Sequence, residues 1–247
     1  MEPLRISAVS YLNTFPFVYG IQSSSYRDHF RLHLDVPSLC AERMKKGEAD
    51  VALVPAGALP TLDEFTLVPG FCIGAVKEVK TVLLLSQHPL DQIHTIYLDF
   101  DSRTSVELVK ILARHHWNIQ PDYKKLIPGE AAALDPDKTL VAIGDKTFTL
   151  RPKYRYVYDL ATEWIDFTGL PFVFAVWVVR PEVPTDALLP LTEALRYGIS
   201  NIPKCLEHFS DRLPRGVDCR SYLDDNISYT FDKDKRRGME KFLQFLV

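Results

Sequence analysis

The sequence predicts an α/β protein of two lobes that close on each other, and three observations carry that prediction. From Leu4 to Pro55 the chain alternates strand and helix signals in the order β-α-β-α-β. A second α/β unit begins with Thr95 to Leu98, after Pro89. A long apolar stretch, Leu170 to Val179, then precedes a tail whose spacing is helical.

Leu4 to Val9 reads as a short buried strand, and Leu32, Leu34 and Val36 alternate with charged neighbours as a half-exposed one. Pro37 and Ser38 open a helix with Leu39, Cys40 and Met44 on one side, and Gly47 is placed to end it. Val51 to Val54 follows as a buried strand ending at Pro55. Right-handed crossovers between such strands give a parallel sheet, which places its ligand beyond the carboxyl ends of the strands. Thr81 to Ser86 is another apolar strand. The second unit adds the strand into Asp99, a helix from Thr104 to His115 with Val106, Val109 and Leu112 inward, and a strand Thr139 to Ile143. Leu170 to Val179 is long enough to run between lobes. Lobe 1 is therefore expected to comprise residues 1–87 and 177–247, and lobe 2 residues 88–176, with two crossing strands as the hinge.

Composition narrows the function. With 247 residues and 47% hydrophobic content the chain can bury an ordinary core. A net charge of only -3 argues against nucleic acid or acidic membrane as partners and leaves a small molecule as the expected ligand. No apolar run reaches the roughly 18 to 20 residues of a membrane helix, and Met1 to Arg5 runs into the first strand without a leader pattern, so a cytoplasmic location is expected. Cys40, Cys72, Cys205 and Cys219 form no CxxC pair and read as reduced thiols, with Cys219 in a polar stretch open to exposure. Nucleotide-loop, nucleophile-elbow and HExxH signatures are absent, and none of the seven histidines falls at a predicted strand end. Neither a metal nor a cofactor is expected.

Five segments remain as candidates. Ser10, Tyr11, Asn13 and Thr14 supply hydroxyls, an amide and an aromatic face, and serve equally as a helix cap or as ligand donors. Asp99 to Ser105 lies between a strand and a helix, so Ser102, Thr104, Ser105 and the local amides converge on a helix start that suits a carboxylate, with Arg103 able to add a fork. Ser/Asp capping with a solvent-facing arginine explains the same residues. Asp145, after Gly144, is ordinary turn chemistry unless it faces the same cleft. Gly169 to Trp177 reads mainly as core. Gly74 to Thr81 reads as a polar strand edge.

Taken in order, Val9-Ser10-Tyr11-Leu12-Asn13-Thr14 with Pro16-Phe17, Gly47-Glu48-Ala49-Asp50-Val51-Ala52-Leu53-Val54-Pro55, Asp99 with Ser102-Arg103-Thr104-Ser105, Ile143-Gly144-Asp145, Tyr158-Asp159-Leu160 with Trp164, and Gly169 to Trp177 resemble the chorismate dehydratases of the futalosine route to menaquinone. The likeness spans residues 5 to about 180. It implies a fold like the type 2 periplasmic binding proteins and cofactor-free loss of water from chorismate, giving 3-[(1-carboxyvinyl)oxy]benzoate. It also singles out Thr81, where the family usually has serine, and with Asn13 gives it the catalytic role. The helix start Ser102 to Ser105 is expected to hold one carboxylate. Asp145 or the substrate's own enolpyruvyl carboxylate is expected to take the ring proton. A non-catalytic cytosolic protein that binds or senses a small anion on the same fold is the rival reading.

Overall fold

A computed structural model of the chain describes residues 2–99, 103–127 and 129–246. The first sheet contains β1 (Leu4–Val9), β2 (Phe30–Asp35), β3 (Val51–Pro55), β4 (Thr66–Ala75), β10 (Phe172–Val179) and β11 (Ser228–Phe231) in the order β11-β4-β10-β3-β1-β2. β2, β1 and β3 are parallel, whereas β10 runs antiparallel to both β3 and β4. All residues of β3 and β10 are buried, as expected of central strands covered on both faces. β2 is the edge strand, and there Asp35 is buried while Leu34 is exposed.

The second sheet has the order β7-β6-β8-β5-β9, from β5 (Val82–Ser86), β6 (Thr95–Leu98), β7 (Asp122–Lys125), β8 (Thr139–Ile143) and β9 (Tyr156–Asp159). β5 is hydrogen-bonded between β8 and β9, antiparallel to each. Sheet membership therefore differs from the expected passages near residues 87 and 176. The chain leaves the first sheet after Ala75 and enters the second at Val82, and it leaves β9 at Asp159 to rejoin the first sheet at Phe172. The 170–179 stretch lies within the first sheet rather than between the two. Its apolar length comes from burial between β3 and β4.

The helices include α1 (Phe15–Ser23), α2 (Pro37–Lys45), α3 (Arg103–His115), α4 (Leu160–Thr168), α5 (Leu189–Ser200), α6 (Ile202–His208) and α7 (Lys233–Gln244). The second passage between sheets runs through α4, whose Trp164 is fully buried with Phe172, Phe242 and Phe245 at ring separations of 5.4, 6.2 and 6.2 Å. The tail thus packs across the hinge through α7. Among the described residues no helix is long and apolar enough to cross a membrane. All four cysteines are free and buried, Cys219 included, and burial pushes the Cys40 thiol up to about 12.

Candidate functional site

The lobes meet over the carboxyl ends of β1, β3 and β8, and a cavity of about 60 Å³ lies between them. Tyr11, Asn13, Thr14, Thr81 and Ser105 line it together with Pro55, Gly144 and Phe174. No lysine, arginine or histidine is among the described lining residues.

Each lining segment is fixed by a traceable local cause. The loop after β1 turns at Leu12–Thr14, and Pro16, in the first turn of α1, sets the helix direction. Within the loop the Thr14 hydroxyl donates to Asn13 Oδ1 at 3.0 Å, and the Tyr229 hydroxyl donates to the Asn13 carbonyl at 3.0 Å.

Thr81 is held by an unusual turn. Lys80 adopts a left-handed backbone, φ 64°. Asp159 accepts from the amides of Val79 (3.0 Å) and Lys80 (2.7 Å) while also capping α4 through the amides of Ala161 and Thr162. One carboxylate therefore fastens the first passage between the sheets to the start of the second. Burial pushes the Asp159 carboxyl above its ordinary range, and the four amides pull it back down. The Thr81 hydroxyl lies 2.7 Å from the Tyr222 hydroxyl, and Tyr222 is 2% exposed. Burial drives the Tyr222 phenol far above its ordinary value, so it is a neutral hydroxyl.

Three contacts close the lobes. The Leu12 amide donates to both oxygens of Asp145, at 3.1 and 3.2 Å. Desolvation raises the Asp145 carboxyl, opposed by that amide and by the charge of Arg212. Tyr11 lies on Gly144, which has φ +68°, so any side chain there meets the ring as well as backbone strain. The Thr104 hydroxyl donates to the Phe174 carbonyl at 3.1 Å and accepts from the Gly57 amide at 3.0 Å. A Cβ on Gly57 would sit 2.9 Å from the Thr104 Cα.

The expected residues therefore separate. Asn13, Thr81, Tyr11, Thr14 and Ser105 share the cavity. Thr104 is committed to the lobe contact and Arg103 is exposed, so neither reaches into it as the reading of a helix-start carboxylate site required. Ser102 lies outside the described residues. The Ser10 amide donates to the Asp35 carbonyl, toward the edge strand. Among the described residues no group of three or more His, Cys, Asp or Glu side chains forms a metal site.

Tyr222 was not legible in the sequence. It opens a π-helical turn, Tyr222–Asn226, inside a stretch that reads only as helix. A π-turn alters the register by one residue and is common at functional sites, but it has no distinctive spacing.

A family model described as menaquinone biosynthesis matches residues 4–247. A curated relative, the chorismate dehydratase of Thermus thermophilus, is 29% identical over 269 residues, covering 100% of this chain and 96% of that protein. Among solved structures, a protein of Archaeoglobus fulgidus aligns with a TM-score of 0.78 at 15% identity, covering 98% of this chain and 96% of its own. The periplasmic aliphatic sulphonate binding protein of Escherichia coli aligns at 0.66 with 16% identity, over 100% and 87%. A Candida albicans protein described as having the generic periplasmic binding protein fold aligns at 0.68 with 11% identity, over 99% and 90%. At these identities the likeness concerns the fold, which is that of the periplasmic binding proteins.

Proposed function

The chain belongs to the menaquinone biosynthesis family, and from that premise we propose that it is a cytoplasmic dehydratase, a hydro-lyase that converts chorismate into 3-[(1-carboxyvinyl)oxy]benzoate and water. The observation that carries the reading is the meeting of Asn13 and Thr81 in one cavity between the lobes, in a chain matched along its length by a chorismate dehydratase.

Chorismate loses a proton from the ring carbon bearing the enolpyruvyl ether and a hydroxyl from the neighbouring carbon. The C–H electron pair becomes a ring double bond, delocalising through the ring carboxylate as it forms, and the C–O pair leaves with oxygen. The substrate's enolpyruvyl carboxylate takes the ring proton, which leaves with the hydroxyl as water, and aromatisation drives the step. This division suits a cavity whose described lining has no histidine. Asp145 is the second candidate for the base, although its oxygens face the Leu12 amide. Asn13 and Thr81 provide neutral donors to the departing oxygen and the ring carboxylate, and Ser105 adds a hydroxyl from the start of α3. Neutral donors aimed at developing charge stabilise the transition state more than the ground state.

Purified protein incubated with chorismate is expected to generate an aromatic absorbance. Asn13→Ala is expected to lower that rate by roughly a hundredfold or more, the usual cost of removing a donor to developing negative charge. Unchanged chorismate with the wild type overturns the reading in favour of a binding protein.

A further inference from the structure

The donors and acceptors around Tyr222 form a one-way chain. The Tyr222 phenol is buried and does not line the cavity, and among the described residues its single hydrogen has one hydrogen-bond partner, the Thr81 oxygen at 2.7 Å. A buried phenol hydrogen left without an acceptor is costly, so the phenol donates to Thr81. The Thr81 oxygen thereby accepts, and its own hydrogen must point elsewhere. On the protein side, among the described residues, the Val79 carbonyl is the acceptor offered, at 3.4 Å, a poor distance for an O–H donor. On the other side is the cavity, which Thr81 lines.

We propose that Tyr222 is a positioning residue of the dehydration, orienting the Thr81 hydroxyl so that its hydrogen is presented to the oxygen leaving the substrate. The inference rests on the proposed dehydratase reading. Tyr222 does not line the cavity and moves no proton to the substrate. Its ring stands edge-on to Phe148 at 5.3 Å, which holds the hydroxyl in place behind Thr81. The same chain accounts for a threonine at position 81. The branched side chain is stiff at χ1, and the phenol supplies the direction its hydroxyl needs.

The test compares wild type, Tyr222→Phe, Thr81→Ala and the double variant, using chorismate turnover and thermal melting. Tyr222→Phe is expected to lower kcat by roughly tenfold or more with KM held within about twofold, because the oriented donor acts on charge that develops only in the transition state. In the Thr81→Ala background the same change is expected to add nothing. A wild-type kcat in Tyr222→Phe, or an equal loss in both backgrounds, overturns the positioning role and leaves the dehydratase reading standing. A wild type that leaves chorismate unchanged overturns both. Where Tyr222→Phe melts too low to assay, 3,5-difluorotyrosine at position 222 keeps the ring and the hydroxyl but strengthens the donor. A changed kcat at constant KM then supports the role, and an unchanged kcat overturns it.

Discussion

Asn13 and Thr81 line the same cavity, but they differ in what their neighbours leave free. Asn13 has its side-chain oxygen taken by Thr14, whereas Thr81 keeps a hydrogen for the cavity. Thr81→Ser, which retains the hydroxyl, is expected to stay within about tenfold of the wild-type kcat, while Thr81→Val, nearly the same shape without a donor, is expected to lose roughly a hundredfold. Steady-state kinetics on the two variants checks this ordering, and equal rates contradict it. Asp145 gives a pH-dependent prediction. Its raised value means that the folded state holds the proton more tightly than the unfolded chain does. The carboxyl therefore contributes most to stability below the ordinary value of 3.8, and that contribution is lost as pH rises through the raised folded value. Asp145→Asn keeps an oxygen for the Leu12 amide and removes the buried charge. At about pH 7 its Tm is expected at or above wild type, with the gain fading toward about pH 4. Thermal melts across that range decide it, and a Tm well below wild type at pH 7 contradicts the account.

The passages between the sheets are built from short hydrogen-bonded devices rather than long strands. Asp159 joins the Val79–Lys80 turn to the cap of α4, so Asp159→Ala removes a helix cap and four amide partners together. A loss of about 2 to 3 kcal/mol in denaturant unfolding is expected, with Thr81 displaced and kcat reduced as well. A variant with wild-type stability would show that the turn holds without the carboxylate. Gly57 acts on the opposite wall, where the start of α3 lies against the backbone. Gly57→Ala is expected to prop the lobes apart and raise KM more than it lowers stability. The sequence announces the strands that are wholly buried, such as Val51–Pro55 and Thr139–Ile143, because their apolar runs are bounded by Pro or Gly. It hides Asp122–Lys125, which is exposed at every position, and Thr66–Ala75, which contains Pro69 and Gly70. β5 is visible as a strand, yet local pattern carries no information about its partners, which is why its sheet is learned only from the pairing.

Over the whole molecule, the site joins parts of the chain that sequence reading treats separately. The loops at the ends of β1 and β8 are legible because a parallel sheet concentrates ligands there. The tail is not, since Tyr222 reaches Thr81 from 141 residues away and Tyr229 reaches Asn13 from 216. Residues 181–247 show helical spacing alone, but they fasten the hinge through Phe242 and brace the site through two tyrosines. The cavity of about 60 Å³ lies between the two lobes, so a movement that parts them widens the way in for a substrate. The hydrogen bonds such a movement would break, Leu12 to both Asp145 oxygens and Thr104 to Gly57 and Phe174, are worth about 0.5 to 3 kcal/mol each, consistent with a cleft that opens and recloses. The central claim is dehydration with the enolpyruvyl group retained. Proton magnetic resonance of purified chain mixed with chorismate tests it directly. The ring's diene signals are expected to give way to those of a meta-substituted benzoate while the two vinyl protons persist. Released pyruvate, or chorismate left intact, would contradict it.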